Sequence, residues 1–255
     1  MTVLYFLLGF LTGFLGLCLI FLIILTVSAL LVDPNKFYED DNRYYRFLLY
    51  FSSVFTLIGA RVKVEVTGSE KIPEKGRFLL VCNHLSNFDP IVCWTVLRHK
   101  NTVVYISKPE NFHIPWYGRI IRRCGFLAID RQNPRNAAKT IHKAAMLISE
   151  DKFSVGVFPE GTRSRSRKLL SFHNMVFRIA QEANVPILVA AVTGTENVRE
   201  NFPLKKNKIT VKFVDCIPAE EVQALKTSQI GERVRKKLLE ALGQTDTEEK
   251  DNTAA

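Results

Sequence analysis

The chain has 255 residues, of which 47% are hydrophobic, and a formal net charge of +10. That is enough chain for one large domain or a domain plus an anchor, since single cores stop growing at roughly 250 to 300 residues. The charge points to an anionic partner, whether phosphate, acidic lipid or nucleic acid. The cysteines Cys18, Cys82, Cys93, Cys124 and Cys216 are scattered without a CxxC pair, which excludes a disulfide framework and a zinc module and reads as a reduced, cytoplasmic catalytic part.

From Met1 to Val32 no charged side chain interrupts the apolar run. As a helix it would be about 48 Å long, against a hydrocarbon core of roughly 30 Å. The basic n-region and small-residue cleavage site of a signal peptide are not present, so the segment is expected to stay attached. A polar break, Asp33 to Arg46, leads to a second apolar and aromatic stretch, Phe47 to Ala60, too short to span alone. Residues 1–60 therefore read as a two-helix membrane anchor. It is either a hairpin in one leaflet, with Tyr44, Tyr45, Phe47, Tyr50 and Phe51 at headgroup level, or a pair whose first helix spans.

Beyond Arg61 short β-branched runs alternate with longer helical stretches, the pattern of an α/β layer fold over 61–242. Strands are predicted at Val62–Val66, Phe78–Cys82, Thr102–Ile106, Phe126–Ile129, Ser154–Phe158, Ile187–Val192 and Ile209–Val214. Helices are predicted at Ile91–Arg98, Trp116–Arg123, Asn136–Ser149, Val176–Ala183 and Ile230–Leu242. The expected fold is a mixed, mostly parallel sheet flanked by helices and preceded by the anchor. The polar tail, 243–255, lacks apolar periodicity and reads as disordered.

Three loops that follow strands carry candidate chemistry, and ligands of open α/β sheets bind at the C-terminal strand ends. The first is Asn83-His84-Leu85-Ser86-Asn87-Phe88-Asp89-Pro90. Pro90 suits the first turn of a helix and Asp89 its N-cap. The Asp89 carboxylate would then accept the His84 Nδ1 proton and leave Nε2 as a free base, the group needed to take a proton from an alcohol. The bland alternative is a helix cap beside a loop histidine.

The second loop, Phe158-Pro159-Glu160-Gly161-Thr162-Arg163-Ser164, has a glycine fit for a tight turn and an arginine beside exposed amides, a phosphate pocket in outline. Glu160 could accept from a glycerol hydroxyl or orient an arginine. Arg165, Arg167 and Lys168 read as a solvated basic surface facing lipid headgroups. The third, Gly125 to Arg131, places a guanidinium at a strand end, preceded by Lys108, Pro115 and Gly118; Arg131 is a candidate phosphate ligand or a surface ion-pair partner.

Taken together these blocks resemble the 1-acyl-sn-glycerol-3-phosphate acyltransferases, within the wider glycerolipid acyltransferases. Asn83-His84 with Asp89 is similar to the family's HxxxxD block, and Lys108, Pro115, Gly118, Gly125 and Ile129-Asp130-Arg131 to its second. Phe158 to Ser164 is similar to the third and Val185-Pro186-Ile187 to the fourth. The resemblance implies a membrane enzyme on the cytoplasmic face of the inner membrane. It would move a fatty acyl group from acyl-CoA or acyl-carrier protein to the 2-hydroxyl of lysophosphatidate, without a cofactor, a metal or an acyl-enzyme. His84 would be the base and Asp89 its support; Arg131, Glu160, Gly161, Thr162 and Arg163 would hold the glycerol phosphate, supported by Asn83 and Lys108. The sequence departs from the family at Phe172-His173-Asn174-Met175-Val176-Phe177, where many relatives have a Phe-Lys-x-Gly-like sequence, and at Val189, where a second proline is usual.

Other acceptors, glycerol 3-phosphate or another lysophospholipid, stay open, and the oligomeric state has no signature in the sequence. A Cys82 nucleophile with His84 as its base is chemically conceivable, although such strand thiols are more often packed. No Gly-x-Ser-x-Gly elbow supplies a hydrolase serine, and the remaining histidines have no metal-ligand spacing near His84. A non-enzymatic module that binds acidic lipid would leave His84 dispensable. No nucleic-acid motif accompanies the charge, so no nucleic-acid partner is expected.

Overall fold

The computed structural model describes residues 1–246. Helix α1 (Thr2–Leu30) is apolar on every side, as its uncharged sequence requires, and is about 43 Å long at 1.5 Å per residue. The aromatic side chains of its N-terminal half point into open space, Phe6 and Phe10 being 74% and 70% exposed. Among the described residues it is the helix long and apolar enough to cross a membrane.

Helix α2 (Arg43–Gly59) begins inside the predicted polar break, because the Asn42 side chain accepts the Tyr45 amide and caps it. The helix is two-sided. Tyr45, Leu48, Leu49, Ser53 and Leu57 are buried at helical spacing, whereas Phe47, Phe51, Phe55 and Ile58 form an exposed stripe. It meets α1 through Phe21 and Phe51, 4.8 Å between ring centroids, and through Tyr45 Oη, which donates to the Ser28 carbonyl at 2.9 Å.

All seven predicted strands form, in one sheet of order β1-β7-β6-β2-β5-β3-β4. They are β1 (Val62–Thr67), β2 (Leu79–Cys82), β3 (Val103–Ser107), β4 (Leu127–Ala128), β5 (Ser154–Val157), β6 (Ile187–Thr193) and β7 (Asn207–Ile217). Every pairing is parallel except β6 with β7. The central strands are apolar runs with both faces covered; Leu79, Leu80, Val81 and Cys82 have no exposed surface.

The covering helices are α3 (Phe88–Leu97), α4 (Tyr117–Arg123), α5 (Pro134–Ser149), α6 (Arg178–Ala183), α7 (Val198–Asn201), α8 (Ala219–Ala224) and α9 (Thr227–Leu242). The single-turn α7 and the short α8 have too few residues to show a period in sequence. Helix α1 packs on α4, and α2 on α3 and α4; α5 packs on α6, and α9 on the 3-10 turn that precedes α6. At the start of the polar tail, Gly243 ends α9 at φ +64, Gln244 bonds to Leu169 and Arg167, and Asp246 pairs with Arg235 at 2.8 Å. The rest of the tail lies outside the described residues.

Phe153, with no exposed surface, fills the junction between the sheet and the first helices, with the Arg46 guanidinium 4.9 Å from its ring centre. Phe153→Ala is expected to cost about 3–5 kcal/mol, read as a lowered denaturation midpoint in detergent.

Candidate active site

Parallel strands β2, β5, β3 and β6 end at one edge of the sheet, and the loops that leave them converge there. At the end of β2 the chain leaves the ladder, but the Asn83 side chain continues it. Its amide donates to the Val192 carbonyl at 2.9 Å and its oxygen accepts the Val192 amide at 2.8 Å. The next residue, His84, is thereby fixed relative to β6.

Helix α3 starts earlier than the sequence predicts. Asn87 occupies its N-cap position, so Asp89 lies in the first turn rather than at the cap. From there its carboxylate, which has no exposed surface, turns back over the loop. Oδ2 accepts from His84 Nδ1 at 2.8 Å and from the Leu85 and Ser86 amides at 2.7 Å each, and Oδ1 accepts the Thr195 hydroxyl. With Asp89 as acceptor, Nδ1 carries the imidazole proton and Nε2 is left with its lone pair. The His84 ring stacks on Phe158 at 4.2 Å, and Phe158 on Tyr105 at 5.7 Å. Gly156 makes room for that stack, because a Cβ there would come within 2.4 Å of the Tyr105 ring.

The loop after β5 brackets His84 from the other side. Glu160 Oε1 accepts the His84 amide at 2.6 Å, and the Ser164 amide donates to the His84 carbonyl at 2.8 Å. The other carboxylate oxygen of Glu160 accepts the Leu170 amide at 2.9 Å. Glu160 is buried, with both oxygens occupied by backbone, which is a different position from the substrate-facing one that its motif suggests. Burial pushes its carboxyl up to about 7, opposed by the Leu170 and His84 amides and assisted by the nearby Asp89 charge. Gly161 closes the turn at φ +70, against the His173 ring and the Arg131 guanidinium, where a Cβ would come within 2.8 Å of His173.

His84 and this turn wall a cleft of about 430 Å³. Lys108, Arg131, Thr162 and Arg163 also line it, and among the described residues no acidic side chain does. Desolvation of the part that faces the cleft lowers the Arg131 pKa, with Glu110 opposing; the residue is otherwise exposed, so its guanidinium is open to an anion. The predicted residues thus fall into two sets. Lys108, Arg131, Thr162 and Arg163 reach the cleft; Asn83 and Glu160 stand behind it. Sequence reasoning missed Thr195, which follows β6 at the same sheet edge. Its position after a parallel strand was the available signal.

Cys82 is buried with its Sγ 3.9 Å from Cys93 Sγ, and the shared hydrogen bond and burial push its thiol well up, away from a nucleophilic thiolate. Among the described residues no cluster of three or more His, Cys, Asp or Glu side chains forms a metal site.

An acid whose folded-state pKa lies above its ordinary value of 4.5 stabilises the fold while protonated, and for Glu160 that contribution is lost as pH rises through about 7. Wild type is therefore expected to lose stability between about pH 5 and about pH 8 more steeply than Glu160→Gln, compared by denaturation midpoints. Parallel curves for the two proteins would contradict the buried acid.

The family model described as Acyltransferase matches residues 63–193, from the first strand through β6. The 1-acyl-sn-glycerol-3-phosphate acyltransferase of Haemophilus influenzae is 30% identical over 168 residues, 66% of this chain and 68% of that protein. The Escherichia coli protein of the same description is 27% identical over 194 residues, 76% of this chain and 78% of its own. In three dimensions the crystal structure of the 1-acyl-sn-glycerophosphate acyltransferase PlsC from Thermotoga maritima superposes with a TM-score of 0.63 at 21% identity. The match covers 80% of this chain and 82% of that one, a likeness of fold. A matched segment of this length, containing both the His84–Asp89 pair and the Glu160 turn, shows that the chain belongs to the acyltransferase family.

Proposed function

We propose that the protein transfers a fatty acyl group from the thioester of acyl-CoA or acyl-carrier protein to the 2-hydroxyl of 1-acyl-sn-glycerol 3-phosphate. The observation that carries this reading is the hydrogen-bonded pair of His84 and the buried Asp89, with His84 at the wall of a cleft lined by Lys108, Arg131 and Arg163. A base poised beside a cationic pocket suits an alcohol tethered to a phosphate.

The acceptor phosphate sits among Lys108, Arg131 and Arg163, with Thr162 beside the glycerol. His84 Nε2 takes the proton of the 2-hydroxyl as the oxygen attacks the thioester carbonyl carbon. The tetrahedral intermediate collapses with cleavage of the C–S bond, and the imidazolium returns its proton to the leaving sulfur. The products are phosphatidate and a free thiol. Asp89 holds the tautomer and stabilises the imidazolium between the two proton transfers. Glu160 and Asn83 act behind the cleft, holding the His84 backbone at a fixed distance from the phosphate ligands.

The relatives' descriptions as 1-acyl-sn-glycerol-3-phosphate acyltransferases support lysophosphatidate as acceptor. The uncharged α1 and the exposed stripe Phe47, Phe51, Phe55 and Ile58 support attachment to a membrane, with 1–60 as anchor, 61–242 as catalytic domain and 243–255 as tail. The catalytic domain then lies on the cytoplasmic face of the inner membrane, where the acyl donors are found.

Transfer of labelled acyl groups to lysophosphatidate in detergent tests the reading. His84→Ala is expected to lower kcat by about 10²–10⁴-fold, and Asp89→Asn by a similar factor because the tautomer is lost. Arg163→Ala should raise KM for lysophosphatidate about ten- to a hundredfold with a smaller effect on the donor KM. Cys82→Ser should retain activity. A His84→Ala protein as active as wild type, or an acyl-enzyme trapped on Cys82, would sink the mechanism.

A further inference from the structure

The catalytic cleft continues into two further cavities, and the sheet separates them. Consecutive strand residues point to opposite faces. On β3, Tyr105 lines a cavity beneath α2, with Leu49, Ser53 and Trp94. Its neighbour Ile106 lines a cavity of about 640 Å³ with Ile141 of α5, Met175, and Thr227 and Ser228 of α9. Tyr105 and Ile106 both line the cleft as well, so each cavity joins it, the larger one past Phe158, Gly161 and Arg131. The first cavity lies on the side of α1 and α2, and the second on the side of α5 and α9, turned away from them.

Two substrates must meet at His84, and they arrive from different phases. A lysolipid comes out of a bilayer beside α1 and α2, on the side of the smaller cavity. The thioester donor is water-soluble and has to bring a long arm to the same atom from the other side. We propose that the larger cavity receives the phosphopantetheine arm common to acyl-CoA and acyl-carrier protein, an assignment that rests on the acyltransferase reading above.

The lining suits that arm. Its walls are mainly apolar, as the methylene and dimethyl groups require, while His173, Thr227 and Ser228 offer partners for the two amides. Arg135 and Lys139 stand one turn apart on α5, beside the lining residues Pro134 and Ala138; both are exposed, and neither forms an ion pair among the described residues. They supply positive charge for the phosphate at the outer end. Residues 172–176 form one wall.

Ala138→Trp and Met175→Trp fill the cavity from exposed positions and so leave the core packing alone. Initial rates are compared with acyl-CoA, acyl-carrier protein and the N-acetylcysteamine thioester of the same acyl group, which keeps the reacting bond but lacks most of the arm and its phosphate. For whichever carrier the wild type uses, KM is expected to rise about tenfold or more, while the truncated donor and the KM for lysophosphatidate change by less than about twofold. Arg135→Ala with Lys139→Ala should reproduce the pattern, and a rise confined to one carrier identifies the source of the arm. Equal losses with all three donors, a raised KM for lysophosphatidate, or unchanged kinetics in every variant would overturn the assignment. A wild type that transfers no acyl group from any of the three would instead remove the reading on which it rests.

Discussion

A carboxylate sealed from water has to be supplied with donors by the fold, and meeting that demand at Asp89 organises the whole active site. Its four donors come from the His84 ring, the two amides that follow it, and Thr195 beyond β6. The His84 loop, the first turn of α3 and the β6 edge are therefore tied to one side chain. Losing any of these donors would leave a buried charge short of a partner, so the arrangement resists small displacements. The direction of the imidazole is a by-product of that satisfaction: a ring that rotated away would strip Asp89 of a donor it cannot replace from solvent.

Glu160 is a second buried carboxylate a short way off, held quite differently. It has two backbone amides, from His84 and Leu170, and burial keeps its carboxyl near 7 despite them. Asp89 adds to that pressure, because two negative charges in one low-dielectric region oppose each other. The pair divides the work. Asp89 acts on the imidazole, and Glu160 on the backbone that bears it, with the Ser164 amide closing the bracket on the His84 carbonyl. The loop that supplies Glu160 also presents Thr162 and Arg163 to the cleft. His84 and the cleft residues Thr162 and Arg163 are thus spaced by backbone hydrogen bonds rather than by flexible side chains.

Strands were legible because β-branched runs such as Ile187–Thr193 have few alternatives, and the sheet that they form has the mixed character expected of it. The pairing of His84 with Asp89 was legible from their spacing and motif. The way it is achieved was not, since a helix start can shift by two residues at little cost: Asp89 works from inside α3 instead of capping it. Glu160 misled for another reason. A charged residue in a glycine-containing loop looks solvent-facing in sequence, and only the three-dimensional return of the chain shows that amides from positions 84 and 170 consume both oxygens. Thr195 offered only its place after a parallel strand, because its significance comes from standing beside a carboxylate 106 positions away in the chain.

Helix α2 shows how one element can serve two solvents. Its apolar stretch is short for a bilayer, and half of that apolar character is spent inward: Leu48, Leu49 and Leu57 are core residues, packed with the strands. The outward half, Phe47, Phe51, Phe55 and Ile58, continues the uncovered surface of α1. A helix with both faces apolar ties this outer surface to the rest of the fold, because its inner face cannot move without disturbing α3 and α4. The cavity under α2 opens on the same side and joins the cleft at Pro90 and Ile91, the residues that follow Asp89. If the outer face lies in lipid, a lysolipid acyl chain stays in apolar surroundings from bilayer to cleft, and its headgroup alone meets the cations. The energetic difficulty of drawing a lipid out of a membrane is then reduced to moving a phosphate from one polar setting to another.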